Sequence, residues 1–303
     1  MIKAFFINLD RRRDRLDRMS RQFAAAGISA LRWPAKDGNS LSREERSLFD
    51  KTNLGPSQIG CFLSHVAIWK WLLASNENAV AVFEDDLAIS TRLKHLLEDD
   101  SWLAPDAEII RLETALRQTR LTGIRPSGIK GFSIGRLRKR AYGTGGYIVT
   151  RRGAERLLGG YCRPINNIDI LLYDPWLHDG KGPLRVFQVL PAPVSQLQFL
   201  YPRKFAHESD IVTDRKLQSD AREVYKTGRS SASLPRKLIY ELGDIARIVR
   251  RLPRNIFVAL TSREMVVPFD SAYENAASSE ALPHRAETAG RSRNAPESTH
   301  ISG

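Results

Sequence analysis

Residues 79–86, AVAVFEDD, set five apolar positions directly before three consecutive carboxylates, Glu84, Asp85 and Asp86. The apolar run reads as a buried strand. Three adjacent anions at its end repel one another and are costly to desolvate unless water or a cation neutralises them, and hard divalent ions such as Mg²⁺ and Mn²⁺ favour oxygen ligands of this kind. In open α/β sheets the ligand crevice lies outside the carboxyl ends of the strands, so acids placed there stand where a substrate would meet them. A solvated acidic turn with no ion is the competing reading, because runs of charge are usually surface.

The rest of the chain supplies the layers around such a strand. Residues 3–9 (KAFFINL) form a second strand-like run. Residues 11–26 follow with Leu16, Met19 and Phe23 at helical spacing before Gly27 stops the helix. A short strand near 30–33 ends at Pro34, and Asp37-Gly38 marks a turn. Residues 58–74 make a long apolar helix that delivers the chain to the acidic strand. Further strands are expected at 107–112, 147–150 and 184–190, with a helix at 152–158 and a basic, Gly-containing flap or loop at 117–140. This alternation predicts an α/β domain with a mostly parallel sheet flanked by helices.

With 303 residues, 42% of them hydrophobic, a sizeable core is possible. No stretch reaches the ~18 uninterrupted apolar residues of a membrane span, and the first nine residues lack a signal-peptide pattern, so a cytoplasmic location is expected. Cys61 and Cys162 show no metal-ligand spacing and are read as reduced, Cys61 as core. A net charge of +13 predicts attraction to an anionic partner: nucleic acid, a phosphate-rich membrane surface or a phosphorylated substrate. Composition shifts near 230. Leu238, Leu242, Ile245, Val249 and Leu252 form one stripe flanked by arginines, which suits either a helix lying on an anionic bilayer or one packing on protein. Beyond about 271 the chain lacks periodicity and is expected to be disordered. The expected division is a catalytic domain at 1–229, a basic amphipathic helical extension at 230–267 and a disordered tail at 268–303.

The segments FFINLDRRRDRLDRM, WPAKDG, LGPSQIGCFLSHVAIWKWLL, AVAVFEDD and YGTGGYIVTRRGAERLL occur in this order over residues 3–196. Together they resemble glycosyltransferase family 25, the bacterial lipooligosaccharide glycosyltransferases related to collagen galactosyltransferases. The resemblance implies a GT-A type nucleotide-diphospho-sugar transferase fold, a UDP-sugar donor and Mn²⁺ or Mg²⁺ at the EDD element. It also implies inverting transfer of a hexose, with galactose favoured, to a lipid-linked glycan acceptor at the inner face of the membrane. By analogy with the Asp-x-Asp element of GT-A enzymes, Asp86 becomes the main metal ligand and Glu84 a second ligand or ribose contact. Asp85 would turn the other way, toward the donor sugar. Arg13 departs from the family pattern, where relatives often carry Pro.

Other candidates have competing structural readings. Asn8, Arg11 and Arg15 suit diphosphate contacts near a helix N-terminus, although the arginines also read as a solvated face paired with Asp14 and Asp17. Asp37 is a candidate uridine contact, or simply a turn residue. Ser64 and His65 suit sugar or diphosphate, though a lone His on a packed helix is commonly structural. Gly145, with its neighbouring glycines, allows close backbone approach or eases strand entry. Asp169 is the first candidate for general base and Asp174 the second, each alternatively a helix cap or orienting residue. By likeness to some related enzymes, His178 would complete a metal shell. The rival functions are a catalytically inactive membrane-associated adaptor and a basic nucleic-acid-binding protein. The second is disfavoured because no zinc-finger or RNP-like motif is present and the acids would repel phosphates, so no nucleic-acid partner is expected.

Overall fold

A computed structural model describes residues 1–161, 167–177, 180–205, 252–253, 256–270 and 272. In chain order the strands are β1 (Lys3–Asn8), β2 (Ala30–Pro34), β3 (Ala79–Phe83), β4 (Leu87–Ile89), β5 (Ile109–Arg111) and β6 (Glu113–Thr114). They continue with β7 (Gln118–Pro126), β8 (Ser133–Leu137), β9 (Gly146–Thr150), β10 (Val186–Leu190), β11 (Val194–Gln196) and β12 (Arg263–Val266). The helices used below are α1 (Arg13–Ala25), α2 (Arg43–Ser47), α3 (Pro56–Ala74), α4 (Leu93–Leu97), α5 (Arg151–Arg156) and α6 (Ile168–Tyr173). Nine strands make one sheet in the order β12-β7-β8-β10-β5-β9-β3-β1-β2, and β4-β11-β6 form a small second sheet.

The large sheet is mixed, which corrects the expectation of a mostly parallel one. Parallel pairing joins β1 to β2, β1 to β3 and β5 to β10, while β9 runs antiparallel between β3 and β5. The expected basic loop at 117–140 is an antiparallel hairpin of β7 and β8. Its Leu121 and Leu137 are buried in the core on one face of the sheet and Ile134 in that on the other, and the arginines between them give the sequence its loop-like basic look.

Alternation along the central strands explains their unbroken apolar runs. Phe5, Ile7, Val80 and Val82 meet Trp69 and Leu72 of α3 on one face, while Ala4, Phe6, Ala81 and Phe83 meet Met19 and Phe23 of α1 on the other. The Phe23 ring lies 5.5 Å from Phe6 and 5.4 Å from Phe83, contacts that stabilise by about 0.5–1.5 kcal/mol each beyond burial.

α3 begins with Pro56 in its first turn and Gln58 Oε1 accepting the Gly55 N–H at 2.9 Å. Two glycines seat it. A Cβ on Gly38 would lie 2.1 Å from the Pro56 carbonyl oxygen, and one on Gly60 2.4 Å from that of Lys36. The turn after β2 therefore presses directly on α3, which brings Asp37 beside Ser64 and His65.

β12 forms the outer edge by pairing antiparallel with β7. Just beyond it, the buried Asp270 carboxylate accepts from Ser90 Oγ at 2.6 Å and Arg92 Nη1 at 2.9 Å. Residues 263–270, expected in the helical extension and the head of the tail, thus fold onto the main sheet. The amphipathic stripe of 238–252, apart from Leu252, lies outside the described residues, as does the tail from 273. No described helix is long and apolar enough to cross a membrane.

Candidate active site

Strand register places the acids. β3 ends at Phe83, aligned with Phe6 of its parallel neighbour, so the turn after β1 stands beside Glu84, Asp85 and Asp86 at a shared carboxyl edge. With the turn after β2 and one face of α3, these segments enclose a cavity of about 110 Å³. It is lined by Arg11, Arg15, Asp37, Ser64, His65 and all three acids, residues that lie far apart in the chain.

The three carboxylates have different partners. Asp85 is buried and tied to Asn8 Nδ2 and Arg15 Nη1, each at 2.8 Å. Asn8 Oδ1 in turn accepts from Arg32 Nε at 3.0 Å, so this amide braces the loop rather than opening toward a ligand. Arg15, expected at a diphosphate, lines the cavity and forms a buried ion pair with Asp85. Burial lowers its basicity, but the Asp85 charge and hydrogen bond outweigh this and raise it. Arg11 pairs with Asp37, so two residues singled out separately meet at the cavity rim.

Glu84 is half-buried and held at both oxygens, by Thr144 Oγ1 at 2.5 Å and Gln196 Nε2 at 3.3 Å. Burial pushes its carboxyl up, but His65, Thr144 and Arg15 together bring it below the usual range. Asp86 behaves oppositely. Burial, followed by the charge of Glu84, pushes it up to about 7, against the pull of Arg15. Its Oδ1 is enclosed without a hydrogen-bond partner.

His65 belongs to a buried chain of hydrogen bonds. Trp69 Nε1 donates to Tyr147 Oη at 2.9 Å, and Tyr147 Oη lies 2.9 Å from His65 Nδ1. Burial pushes the Tyr147 hydroxyl well above its ordinary value, so it keeps its proton. Because the indole only donates, the Tyr147 proton is left to point at His65 Nδ1. Nε2 stands 3.7 Å from Glu84 Oε1. Ser64 Oγ accepts the Lys36 N–H and donates to the Gly60 carbonyl, bracing α3 against the β2 turn.

The remaining candidates separate. Gly145 packs tightly: its N–H donates to Glu113 Oε2 and its carbonyl accepts from Glu84 N, while a Cβ there would meet Leu87 Cδ2 at 2.6 Å. Asp169 sits in the first turn of α6, with its Oδ1 on the Ile170 N–H. Its charge is felt by Cys61, which lines the acidic cavity. Asp174 is drawn elsewhere. It pairs with Arg140, accepts the Trp176 N–H and lines a different cleft beside Arg136 and Arg138. His178 lies outside the described residues.

Glu113 was not anticipated. It is fully buried beneath the 142–145 turn, accepts from Gly145, and stands 3.6 Å from Arg111, with its Oε1 unpartnered. Burial pushes its carboxyl up to about 8. An acid among the apolar residues of IIRLET was the only sequence signal.

Among the described residues one set of three ligand atoms comes together. Cys61 Sγ, a His65 ring nitrogen and a Glu84 oxygen lie within 4.8 Å of one another. Burial, then the nearby acids, push the Cys61 thiol well up, which keeps it a poor ligand. Asp86 Oδ1, enclosed without a partner and close enough for Glu84 to raise its proton affinity, is an oxygen of the kind a hard divalent ion favours.

The sequence profile of glycosyltransferase family 25 (LPS biosynthesis protein) matches residues 1–172. Lipooligosaccharide biosynthesis protein lic2B of Haemophilus influenzae is 24% identical over 279 residues, covering 88% of this chain and 98% of that protein. The lacto-N-neotetraose biosynthesis glycosyltransferase LgtE of Neisseria gonorrhoeae is 28% identical over 62% of this chain and 68% of its own. Procollagen galactosyltransferase 1-B of Xenopus laevis is 27% identical over 70% of this chain but only 38% of its own length. Among solved structures, the inositol-1-phosphate CTP transferase from T. maritima aligns with a TM-score of 0.29 at 12% identity, over 63% of this chain and 68% of that one, too distant to bear on fold or activity. Because the family match spans more than half of the chain and contains every residue that lines the acidic cavity, the protein belongs to glycosyltransferase family 25.

Proposed function

We propose that this glycosyltransferase moves a hexose, with galactose favoured, from a UDP-sugar to a saccharide of a lipid-linked surface glycan, with inversion and with help from a divalent cation. The observation that carries this reading is the enclosed, unpartnered Oδ1 of Asp86 beside Glu84, in a cavity that Arg11 also lines. Glu84 and Asp86 would hold Mn²⁺ or Mg²⁺, which when bound stabilises negative charge on a departing diphosphate. Thr144 and Gln196 fix the Glu84 carboxylate, and Asn8 with Arg15 fixes Asp85, so the acidic turn is arranged before any ligand arrives. Arg11 offers the diphosphate a charge-assisted contact. Inversion requires a base opposite the leaving group, and Asp169 fills that role in this proposal, its charge reaching the cavity wall at Cys61 while Asp37 is taken up by Arg11.

The basic stripe of 238–252 would hold the enzyme on the anionic inner face of the cytoplasmic membrane. Binding to anionic vesicles that fails to weaken with salt, or that survives replacement of the stripe's leucines by serine, would count against this. The decisive test of the transferase reading is a donor screen across UDP-sugars, with and without Mn²⁺, on truncated lipopolysaccharide. Turnover that needs both UDP-sugar and Mn²⁺, and vanishes in a folded Asp86→Ala variant, supports the proposal. Metal-independent turnover, or none from any UDP-sugar, refutes it.

A further inference from the structure

On the other side of the 142–145 turn from the acidic cavity lies a larger one, of about 320 Å³, into which the catalytic reading places nothing. Among the described residues four cations line it, Arg111, Arg117, Lys139 and Arg140, and no carboxylate does. Arg111 is buried there, fixed by its hydrogen bonds to the Glu113 and Tyr142 carbonyls at 2.5 and 2.7 Å. The other three are exposed. Three of the four are partly neutralised from outside the cavity, Arg111 by Glu113 at 3.6 Å, Lys139 by Glu264 at 3.4 Å and Arg140 by Asp174. Arg117 pairs with no carboxylate among the described residues. Its guanidinium lies 5.7 Å from the centre of the Tyr142 ring, which is 47% exposed.

A second observation is independent of the charges. Thr119, over nine-tenths buried, lines the same cavity, and its hydroxyl, enclosed just behind the wall, lacks any hydrogen-bond partner among the described residues. A buried hydroxyl left in this state costs about 1–3 kcal/mol, and a turn of the side chain toward a ligand oxygen in the cavity would relieve it. The cavity is also tied to the donor side. Tyr142 lines it, and Thr144, two residues on, holds Glu84. Their Cα atoms are at most about 7 Å apart.

We propose that this cavity is an acceptor subsite for a saccharide bearing an oxyanion, a phosphate or a carboxylate. Arg117, Lys139 and Arg140 meet the charge, Arg111 braces the buried end, and the exposed Tyr142 ring offers an apolar face to the sugar. That the ligand is the acceptor rests on the transferase reading above; that the cavity binds an anionic sugar does not.

The test uses the full chain with UDP and Mn²⁺ present in excess to fill the donor cavity. Glucose 6-phosphate, glucuronate and glucose are then titrated by calorimetry. At least one charged sugar is expected to bind roughly tenfold more tightly than glucose, the ratio that one charge-assisted hydrogen bond supplies. The Arg117→Gln/Lys139→Gln variant should lose that advantage, and Arg43→Gln, at an exposed cation that lines neither cavity, should keep it. Both substituted cations are exposed, so folding is preserved, and Thr119→Val provides a second variant with the charge unchanged and expected weaker binding. Preference for the phosphate identifies a phosphorylated acceptor, and preference for glucuronate an acidic sugar. Charged sugars that bind no better than glucose, or equally well to the double variant, overturn the proposal. If UDP itself fails to bind while the charged sugar still discriminates wild type from variant, the donor assignment falls and the anion subsite stands.

Discussion

Replacing Glu113 by Gln should make the metal-free protein more stable, and increasingly so as pH rises. The carboxyl is fully buried and pushed up to about 8 from an ordinary 4.5, first by burial and then by Glu84, against the pull of Arg111. A carboxyl whose affinity for its proton is higher in the folded state favours folding below 4.5, and this contribution is lost progressively as pH climbs through about 8. At about 1.4 kcal/mol per pH unit, wild type should lose roughly 4 kcal/mol between about pH 5 and pH 8 from this group alone. Gln keeps an oxygen for the Gly145 N–H but carries no charge, so the variant escapes that decline. With a urea slope of about 2–3 kcal/mol per molar, the difference amounts to roughly 1.5 M in midpoint at about pH 8. Urea unfolding followed by tryptophan fluorescence in EDTA, at several pH values, measures it directly. A wild-type-to-variant difference that stays constant across this range would refute the reasoning.

Tyr147→Phe strands the Trp69 indole N–H and His65 Nδ1 in the core, which should cost about 2–4 kcal/mol and lower the melting temperature by roughly 5–15 °C. A melting temperature unchanged to within a degree or so would show that the chain of hydrogen bonds contributes little. Asp86→Asn removes a repelled, enclosed charge, so it should melt above wild type in EDTA at about pH 8 yet lose all stabilisation by Mn²⁺ in thermal shift. Gly38→Ala drives a methyl into the Pro56 carbonyl, and a loss of about 2 kcal/mol or more with weakened UDP binding is expected; wild-type behaviour in both assays would contradict the close contact.

Much of the site was legible because its signals are local. The apolar run before EDD, the helix at residues 58–74 and the Asp-Gly turn each announce themselves within a few residues, and the structure gathers all three around one cavity. The pairings within that cavity were not legible in this way. Arg15 falls at i, i+4 and i+8 with Met19 and Phe23, on the buried stripe of α1, so its spacing pointed to an interior cation needing an anion. The basic composition of that helix hid the signal. Tyr147 and Glu113 depend on strand register, with Tyr147 opposite Val82 and Arg111, and no local pattern in a sequence fixes which strand inserts between β3 and β5. The same ignorance turned a hairpin into an expected loop, since its arginines alternate with residues that become buried only once β10 and β12 flank it.

Those late residues of β12 have a bearing on how the protein behaves outside its active chemistry. β7 is nine residues long, and its outward row of backbone amides and carbonyls is occupied by a strand contributed from about 140 positions downstream. Asp270, clasped by Ser90 and Arg92, acts as the clasp's catch. Cutting the polypeptide ahead of Arg263 would therefore leave a bare template along one side, ready to recruit the matching strand of another copy. Swapped dimers or fibrous aggregates, rather than simple loss of solubility through exposed greasy surface, are the failure to expect from such shortened forms.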